Sequence, residues 1–339
     1  MRFDDFDFEL PPHLIAREPL ADRDQARLLV LDRGAGSIDH ARMGDLPDIL
    51  QDHRDQWHVV VNESRVVPSS LEVEGRRIAF GQDPGTLRWR PLGDPRDVVH
   101  PRRTARNTSA AAQLLAESNP YSMEQLLAED GHVTLPRYLA HLEDVVQADP
   151  SDSPAFYNTV YARVSGSVAP PSGGINLSHG TLARLSAAGV GRSGIVHHVG
   201  AVTFRHPTVD DVADHAMEGE RFAISQRAAR EIVDAKASGK RILAVGTTST
   251  RALEHVAATG GLGEPGAAVG RVGVADLFIT PKHAFKLVDG LLTGLHAPKT
   301  TLFLLVASVA GRELVLDAYE QARERGYRWY TLGDSMLVL

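Results

Sequence analysis

The chain has 339 residues, 43% hydrophobic and 23% charged, with a formal net charge of −7 and no cysteine. This composition belongs to a soluble globular protein of one large or two smaller domains. The absence of thiols excludes disulfides, thiolate metal sites and a cysteine nucleophile and fits a cytoplasmic protein, and the negative balance argues against indiscriminate nucleic-acid binding while leaving room for a local basic face.

The opening MRFDDFDFELPPHLI (1–15) carries acidic residues and no apolar run, so no signal peptide is expected there. RLLVLDR (27–33) and WHVVVN (57–62) are aliphatic runs bounded by Gly, Asp and Asn, and are predicted strands. Between Arg76 and Arg106 the character changes: eight arginines against three aspartates leave an excess of five positive charges. Such a stretch is either a solvated arginine-rich loop or a surface that neutralises phosphates. SMEQLLAEDG (122–131) predicts a short helix over 123–129, capped by Ser122 and closed by glycine. ADPSDSP (148–154) is a run of turn formers. A small domain is therefore expected at 72–150, inserted into a main domain of 1–71 and 151–339.

From Tyr157 onward, strand and helix patterns alternate, which predicts an α/β organisation. LSHGTLARLSAAG (177–189) is a predicted helix and GIVHHVGAVTF (194–204) a strand. ISQRAAREIVDAKASGK (224–240) follows as a helix with Ser225 as its N-cap and Gly239 just past its end. RILAVG (241–246) is a strand leading through a polar turn into RALEHVAA, and ADLFIT (275–280) is a further predicted strand. The apolar LFLLVASVA (302–310) is about half the length of a membrane span, which needs roughly 20 residues. It predicts a core helix whose start is set by Pro298 to Thr301. ELVLDAYEQARERG (313–326) places Leu314, Ala318 and Ala322 at helical spacing.

Two loops have the makings of a ligand site. In VGTTSTRALE (245–254), Gly246 permits close backbone approach, and Thr247, Thr248 and Ser249 set hydroxyls beside open helical N–H groups. That arrangement suits a carboxylate or phosphate; it is equally the form of an ordinary capped helix start. In GSVAPPSGGINLS (166–178), Pro170 and Pro171 stiffen the chain while Gly173 and Gly174 allow positive φ or a flat ligand; a purely structural loop has the same pattern. Histidines gather at His197, His198, His206, His215 and His296. His197 and His198 are neighbours on a predicted strand, so at most one faces a given pocket. HExxH spacing is missing, so no metal is assigned. The GxSxG and GxGxxG patterns are missing too.

Taken in order, these segments resemble the S-adenosylmethionine:tRNA ribosyltransferase-isomerase (QueA) family of queuosine biosynthesis. The opening 1–33, with DFDFELPPHLIAREPLADRDQARLLVLDR, is similar to the family's DFDFELPxxLIAxxPxxxRDxxRLLVLDR. VVVNESRVVPSSL (59–71), AVGTTSTRALE (244–254), DLFITPKHAFKLVDGLLTGLHAPKTTLFLLVASVAG (276–311) and YRWYTLGDSMLVL (327–339) match further family motifs. The resemblance implies an α/β main domain with a barrel-like sheet and surrounding helices, plus an inserted small β-rich domain. It implies transfer and isomerisation of the ribosyl part of S-adenosylmethionine onto 7-aminomethyl-7-deazaguanine in tRNA. The expected product is epoxyqueuosine, with adenine and methionine released, no metal and no prosthetic group.

On that resemblance, Gly246, Thr247, Thr248 and Ser249 are expected to hold a polar end of S-adenosylmethionine, next to Ser172, Gly173, Gly174 and His198. His215 and Glu220 are the acid/base candidates, and Asp289, His296 and Lys299 are expected on the same pocket. Asn62 and Arg65 would contact substrate near the domain junction, and Arg76, Arg77, Arg102 and Arg103 the anticodon stem-loop. The chain departs from the family motifs at Ser172, Gly173, Asn176, Leu177, Val202, Glu218, Gly294 and Leu295. The lost His, Phe and Asn are expected to strip aromatic and polar groups from a purine site. Two other functions fit the same scaffold: an S-adenosylmethionine enzyme with a different acceptor, and a non-catalytic RNA- or nucleoside-binding protein.

Overall fold

A computed structural model describes residues 1–53, 55–93, 120–142, 155–200, 203 and 206–339. Its strands are β1 (Arg27–Asp32), β2 (Ser37–Arg42), β3 (Trp57–Asn62), β4 (Ser64–Val66), β5 (Ser70–Val73), β6 (Arg76–Gln82), β7 (Trp89–Gly93), β8 (Val164–Ser167), β9 (Gly191–His197), β10 (Glu220–Ile224), β11 (Arg241–Val245), β12 (Arg271–Ala275), β13 (Gly290–Gly294) and β14 (Ser335–Val338). The helices are α1 (Leu46–Asp52), α2 (Pro120–Asp130), α3 (His179–Ala187), α4 (Gln226–Ala237), α5 (Thr247–Ala258), α6 (Thr301–Ala310) and α7 (Arg312–Glu324).

Nine strands form one sheet in the order β12-β10-β9-β3-β11-β13-β14-β1-β2. At its centre β9, β3, β11 and β13 run parallel to one another. Every residue of β3 and β13 is buried, as strands covered on both faces require. The period-2 alternation sorts their side chains between two cores. Ile242 and Ala244 of β11 pack with Ile232, Val233, Leu253 and Val256 from α4 and α5. Leu243 and Val245 pack on the other face with Leu46, Leu50, Leu182 and Leu185 from α1 and α3. A third cluster joins α6 and α7 to the N-terminal segment through Phe6, Phe303, Tyr319 and Trp329.

A separate three-stranded antiparallel sheet, β5-β6-β7, is covered by α2 through Met123 and Leu127 packed on Leu71, Ile78, Phe80 and Trp89. The short parallel pair β4-β8 lies in the chain on either side of it. The α/β class with a large sheet, helices and a small extra β unit is thus the observed one.

Helix limits follow local chemistry closely. Ser225 Oγ accepts the Ala228 N–H and Gly239 takes φ +82° just beyond α4. Thr300 Oγ1 accepts the Phe303 N–H at the start of α6, a helix of ten residues. Three expectations needed correction. Helix α2 begins at Pro120, so Ser122 is inside it rather than capping it, because proline is well placed in a first helical turn. Strand β9 ends at His197. Residues 276–280 are not a strand: the Arg251 guanidinium takes the carbonyls of Ala275 and Leu277, replacing a neighbouring strand as the hydrogen-bond partner. Among the described residues no helix is long and apolar enough to cross a membrane. Nor is any group of three or more His, Cys, Asp or Glu placed to hold a metal ion.

Candidate functional site

The parallel strands all deliver chemistry at their carboxyl ends, where open α/β sheets bind ligands. Asn62 ends β3, His197 ends β9, Gly246 follows β11 and His296 lies just past β13. A cavity of about 450 Å³ opens there, within the usual range for small-molecule sites.

Its floor is backbone. Gly246 takes φ +89° and donates its N–H to Leu292 O at 2.7 Å. Helix α5 then begins at Thr247 with no side-chain cap, so its first N–H groups and the positive end of its dipole are open to a ligand. Gly173 presses against this turn so closely that a Cβ there would lie 2.5 Å from Gly246 Cα. Thr247, Thr248 and Thr301 also line it.

One wall is a buried ion cluster. Glu220 Oε2 accepts from His197 Nε2 and from Arg251 Nη1, both at 2.8 Å, while Oε1 accepts the Gly200 N–H at 2.6 Å. Burial by itself would raise the Glu220 carboxyl, but the His197 hydrogen bond and charge and the Arg251 charge outweigh it and hold it below the usual range. Arg251 is locked in turn by the carbonyls of Glu218, Ala275 and Leu277. Glu220 is therefore held as an anion whose charge is met by Arg251 and His197, and it is not suited to donating a proton at neutral pH.

Two histidines face the same cavity from opposite elements. His215 packs edge-on against Phe3 and Phe278, with ring centroids 5.9 and 5.1 Å away. Burial lowers its pKa, with Glu218 opposing. His296 Nε2 lies 2.9 Å from Thr293 Oγ1, and the His296 backbone N–H donates to the Tyr319 hydroxyl at 3.0 Å. Burial pushes its pKa down to about 4, so the imidazole is neutral near pH 7 and able to accept or relay a proton.

A second cavity, about 390 Å³, lies between the small sheet and the main sheet and shares Val199, Glu218 and Glu220 with the first. His198 lines it. Its Nδ1 is 2.8 Å from Ser64 Oγ, and burial lowers its pKa to about 4.

The first cavity thus gathers His215, Glu220, His296, Ser172, Gly173, Gly246, Thr247 and Thr248. Asn62 stands directly behind it, donating to Thr248 Oγ1 at 3.1 Å and to His197 O at 2.8 Å. Gly174 lies under the Tyr161 hydroxyl and Ser249 is wholly buried within α5. Asp289 does not reach the cavity. It precedes β13, at the amino ends of the strands, where its Oδ2 takes Lys236 Nζ at 2.9 Å and the Ile242 N–H at 2.8 Å. Lys299 also turns away, pairing with Asp7 at 2.8 Å and Asp4 at 3.1 Å. Arg65 is half-buried on β4 and lines neither cavity. On β6 Arg76 is exposed and Arg77 half-buried, while Arg102 and Arg103 lie outside the described residues.

Several of the departures from the family motifs lie away from the cavity. Asn176 is spent on Gly333 O at 2.8 Å and Ser335 Oγ at 3.0 Å. Leu177 and Leu295 are core residues. Of that set only Ser172, Gly173 and Glu218 line the cavity, and Val202 lies outside the described residues.

His197, Arg251, Thr293 and Phe278 were not singled out by the sequence as site residues. Arg251 had a signal: it follows Thr247 by four residues, one turn along the helix face that starts at the cavity. His197 had none that distinguishes it from His198. Glu254, at the end of the same motif, instead ties down the 283–288 loop by accepting from His283 and from the N–H groups of Lys286, Leu287 and Val288.

The profile of a family described as queuosine biosynthesis protein matches residues 3–338. Similar proteins include the S-adenosylmethionine:tRNA ribosyltransferase-isomerase of Desulfitobacterium hafniense, 36% identical with all of both chains covered. The protein of the same name from Moorella thermoacetica is 37% identical, again over the whole of both chains. Among solved structures, an S-adenosylmethionine tRNA ribosyltransferase from Thermotoga maritima matches 99% of this chain and 100% of its own, at 25% identity and a TM-score of 0.57. The chain belongs to the queuosine biosynthesis protein family.

Proposed function

We propose that the chain transfers and isomerises the ribosyl moiety of S-adenosylmethionine onto 7-aminomethyl-7-deazaguanine in tRNA, giving epoxyqueuosine and releasing adenine and methionine. The observation that carries this is the end-to-end likeness to relatives bearing that name, at 36 and 37% identity. The chemistry needs a base for a proton beside the sulfonium, a proton donor for departing adenine, and grips on methionine and on the acceptor base. The open start of α5, at Gly246, Thr247 and Thr248, is the grip for the methionine carboxylate. Asp214 and Glu218 on the same cavity favour the cationic sulfonium, while the Glu220 charge is already met by Arg251 and His197. His215 and His296 are the groups for proton transfer. Asn62 orients Thr248, and Asp289 and Lys299 act only by holding the scaffold.

The small β-rich unit at 72–150 is taken as a domain inserted into 1–71 and 151–339, and its arginines, with Arg76 and Arg77 at hand, as the contact for the anticodon stem-loop. The work is cytoplasmic and uses S-adenosylmethionine as co-substrate with no prosthetic group. Incubation with S-adenosylmethionine and deazaguanine-bearing tRNA, followed by mass analysis of the base, is expected to show epoxyqueuosine. An unmodified base, with no heat of S-adenosylmethionine binding by calorimetry, would refute the activity.

A further inference from the structure

We propose that Arg23 is a positioning residue for the co-substrate site: its guanidinium clamps the Pro–Gly loop where Gly173 presses onto Gly246. This rests on the activity proposed above, which seats S-adenosylmethionine over that floor. Arg23 lines neither cavity, so it acts through the loop and not on the ligand. It is half-buried on the short 3₁₀ turn Arg23–Gln25 that precedes β1. Its Nη1 donates to Ile175 O at 2.7 Å and its Nη2 to Asn158 O at 3.2 Å. One planar guanidinium thus spans two chain segments, a fork that the single ammonium of lysine does not reproduce.

Both segments bear on the floor. Pro170, Pro171, Ser172 and Gly173 line the cavity, and Ile175 follows Gly173 by two residues. The segment that starts at Asn158 carries Tyr161, whose hydroxyl lies directly against Gly174. A Cβ on Gly174 would come within 1.7 Å of that hydroxyl and 3.1 Å of a Val245 methyl. By tying the two segments together at their backbones, Arg23 keeps Tyr161 against the loop and the loop against Gly246. The next residue holds the far end of the same loop: Asp24 Oδ1 accepts from Thr181 Oγ1 at 2.7 Å, in the first turn of α3. Asn158 is anchored in turn by its Oδ1, which accepts the Val66 N–H of β4 at 3.1 Å. Arg33 offers the comparison. It too grips backbone carbonyls, those of Leu339 at 3.0 Å and Val309 at 3.1 Å, but it does not line the cavity and touches neither floor loop.

Arg23→Met keeps the apolar stem and removes both donors. Calorimetry should show S-adenosylmethionine affinity lowered about tenfold, and steady-state adenine release should show the loss in KM with little change in kcat. Arg23→Lys should fall between Arg23→Met and the parent. Arg33→Met should lose resistance to urea while binding S-adenosylmethionine as the parent does, which separates positioning from general stability. Arg23→Met combined with Gly173→Ala should bind little more weakly than Gly173→Ala alone, because both displace the same backbone contact. Parent affinity in folded Arg23→Met would overturn the assignment, and so would an equal loss in Arg33→Met or losses that simply multiply in the double variant. Where Arg23→Met does not fold, parent affinity in Arg23→Lys overturns it instead. A parent protein that gives no heat with S-adenosylmethionine refutes the activity and this role together, whereas a parent that binds beside unaffected variants refutes the role alone.

Discussion

Gly173 and Gly246 meet backbone to backbone: a Cβ on Gly173 would sit 2.5 Å from Gly246 Cα and 2.8 Å from its nitrogen. Two loops distant in sequence thereby form one floor, and the open start of α5 lies on it. Neither loop makes that floor alone. The contact is backbone on backbone, so no side-chain rotamer can absorb an added methyl group.

Gly173→Ala should therefore separate the loops. Overpacking of this kind costs about 1–3 kcal/mol, to be read from urea unfolding. S-adenosylmethionine affinity should fall by more than the stability loss explains, because the grip is displaced. Wild-type affinity in a folded Gly173→Ala protein would remove the α5 start from the binding site.

Arg251→Met leaves Glu220 buried with only His197 and the Gly200 N–H to hold its charge. Breaking one side of a buried ion pair costs about 3–5 kcal/mol, measured by denaturant titration. The double variant Glu220→Gln with Arg251→Met should recover part of that loss. Strict additivity in this cycle would mean the 2.8 Å contact carries no coupling.

The His296 pKa of about 4 lies below the ordinary value of 6.5. The unfolded chain then binds the extra proton more readily than the folded one. Stability from this group is complete above about pH 6.5 and is lost as pH falls toward 4, by up to about 3 kcal/mol. His296→Gln should flatten the acid limb of the stability profile between those two pH values. A profile parallel to that of the wild type would refute the burial argument.

His215→Ala tests proton transfer. A positioned acid or base contributes roughly 10²- to 10⁴-fold, so adenine release should slow by that order while the protein stays folded. Turnover within about twofold of the parent would take His215 out of the chemistry.

Lys299→Ala should leave S-adenosylmethionine affinity as it was. Its ion pairs with Asp4 and Asp7 hold the N-terminal segment, so faster amide exchange over the first turn is the expected trace. A weakened co-substrate would instead return Lys299 to the pocket.

By itself the sequence determined several local elements and the lineage. The aliphatic runs WHVVVN and RILAVG, the Ser225 cap and the short apolar run of α6 are local signals, and each reads the same in the fold because propensity and capping act over a few residues. The placement of Gly246, Thr247 and Thr248 at a helix start was legible for the same reason. Only the tertiary structure decided which end of each strand a residue serves. Asp289 and His296 flank the same five-residue strand, one at its amino end beside Lys236 and Ile242, the other on the cavity. Spacing along a chain carries no such polarity until neighbouring strands are aligned. Long-range pairing also decided that Asn176 serves Gly333 and Ser335 and that Lys299 serves the N-terminal segment.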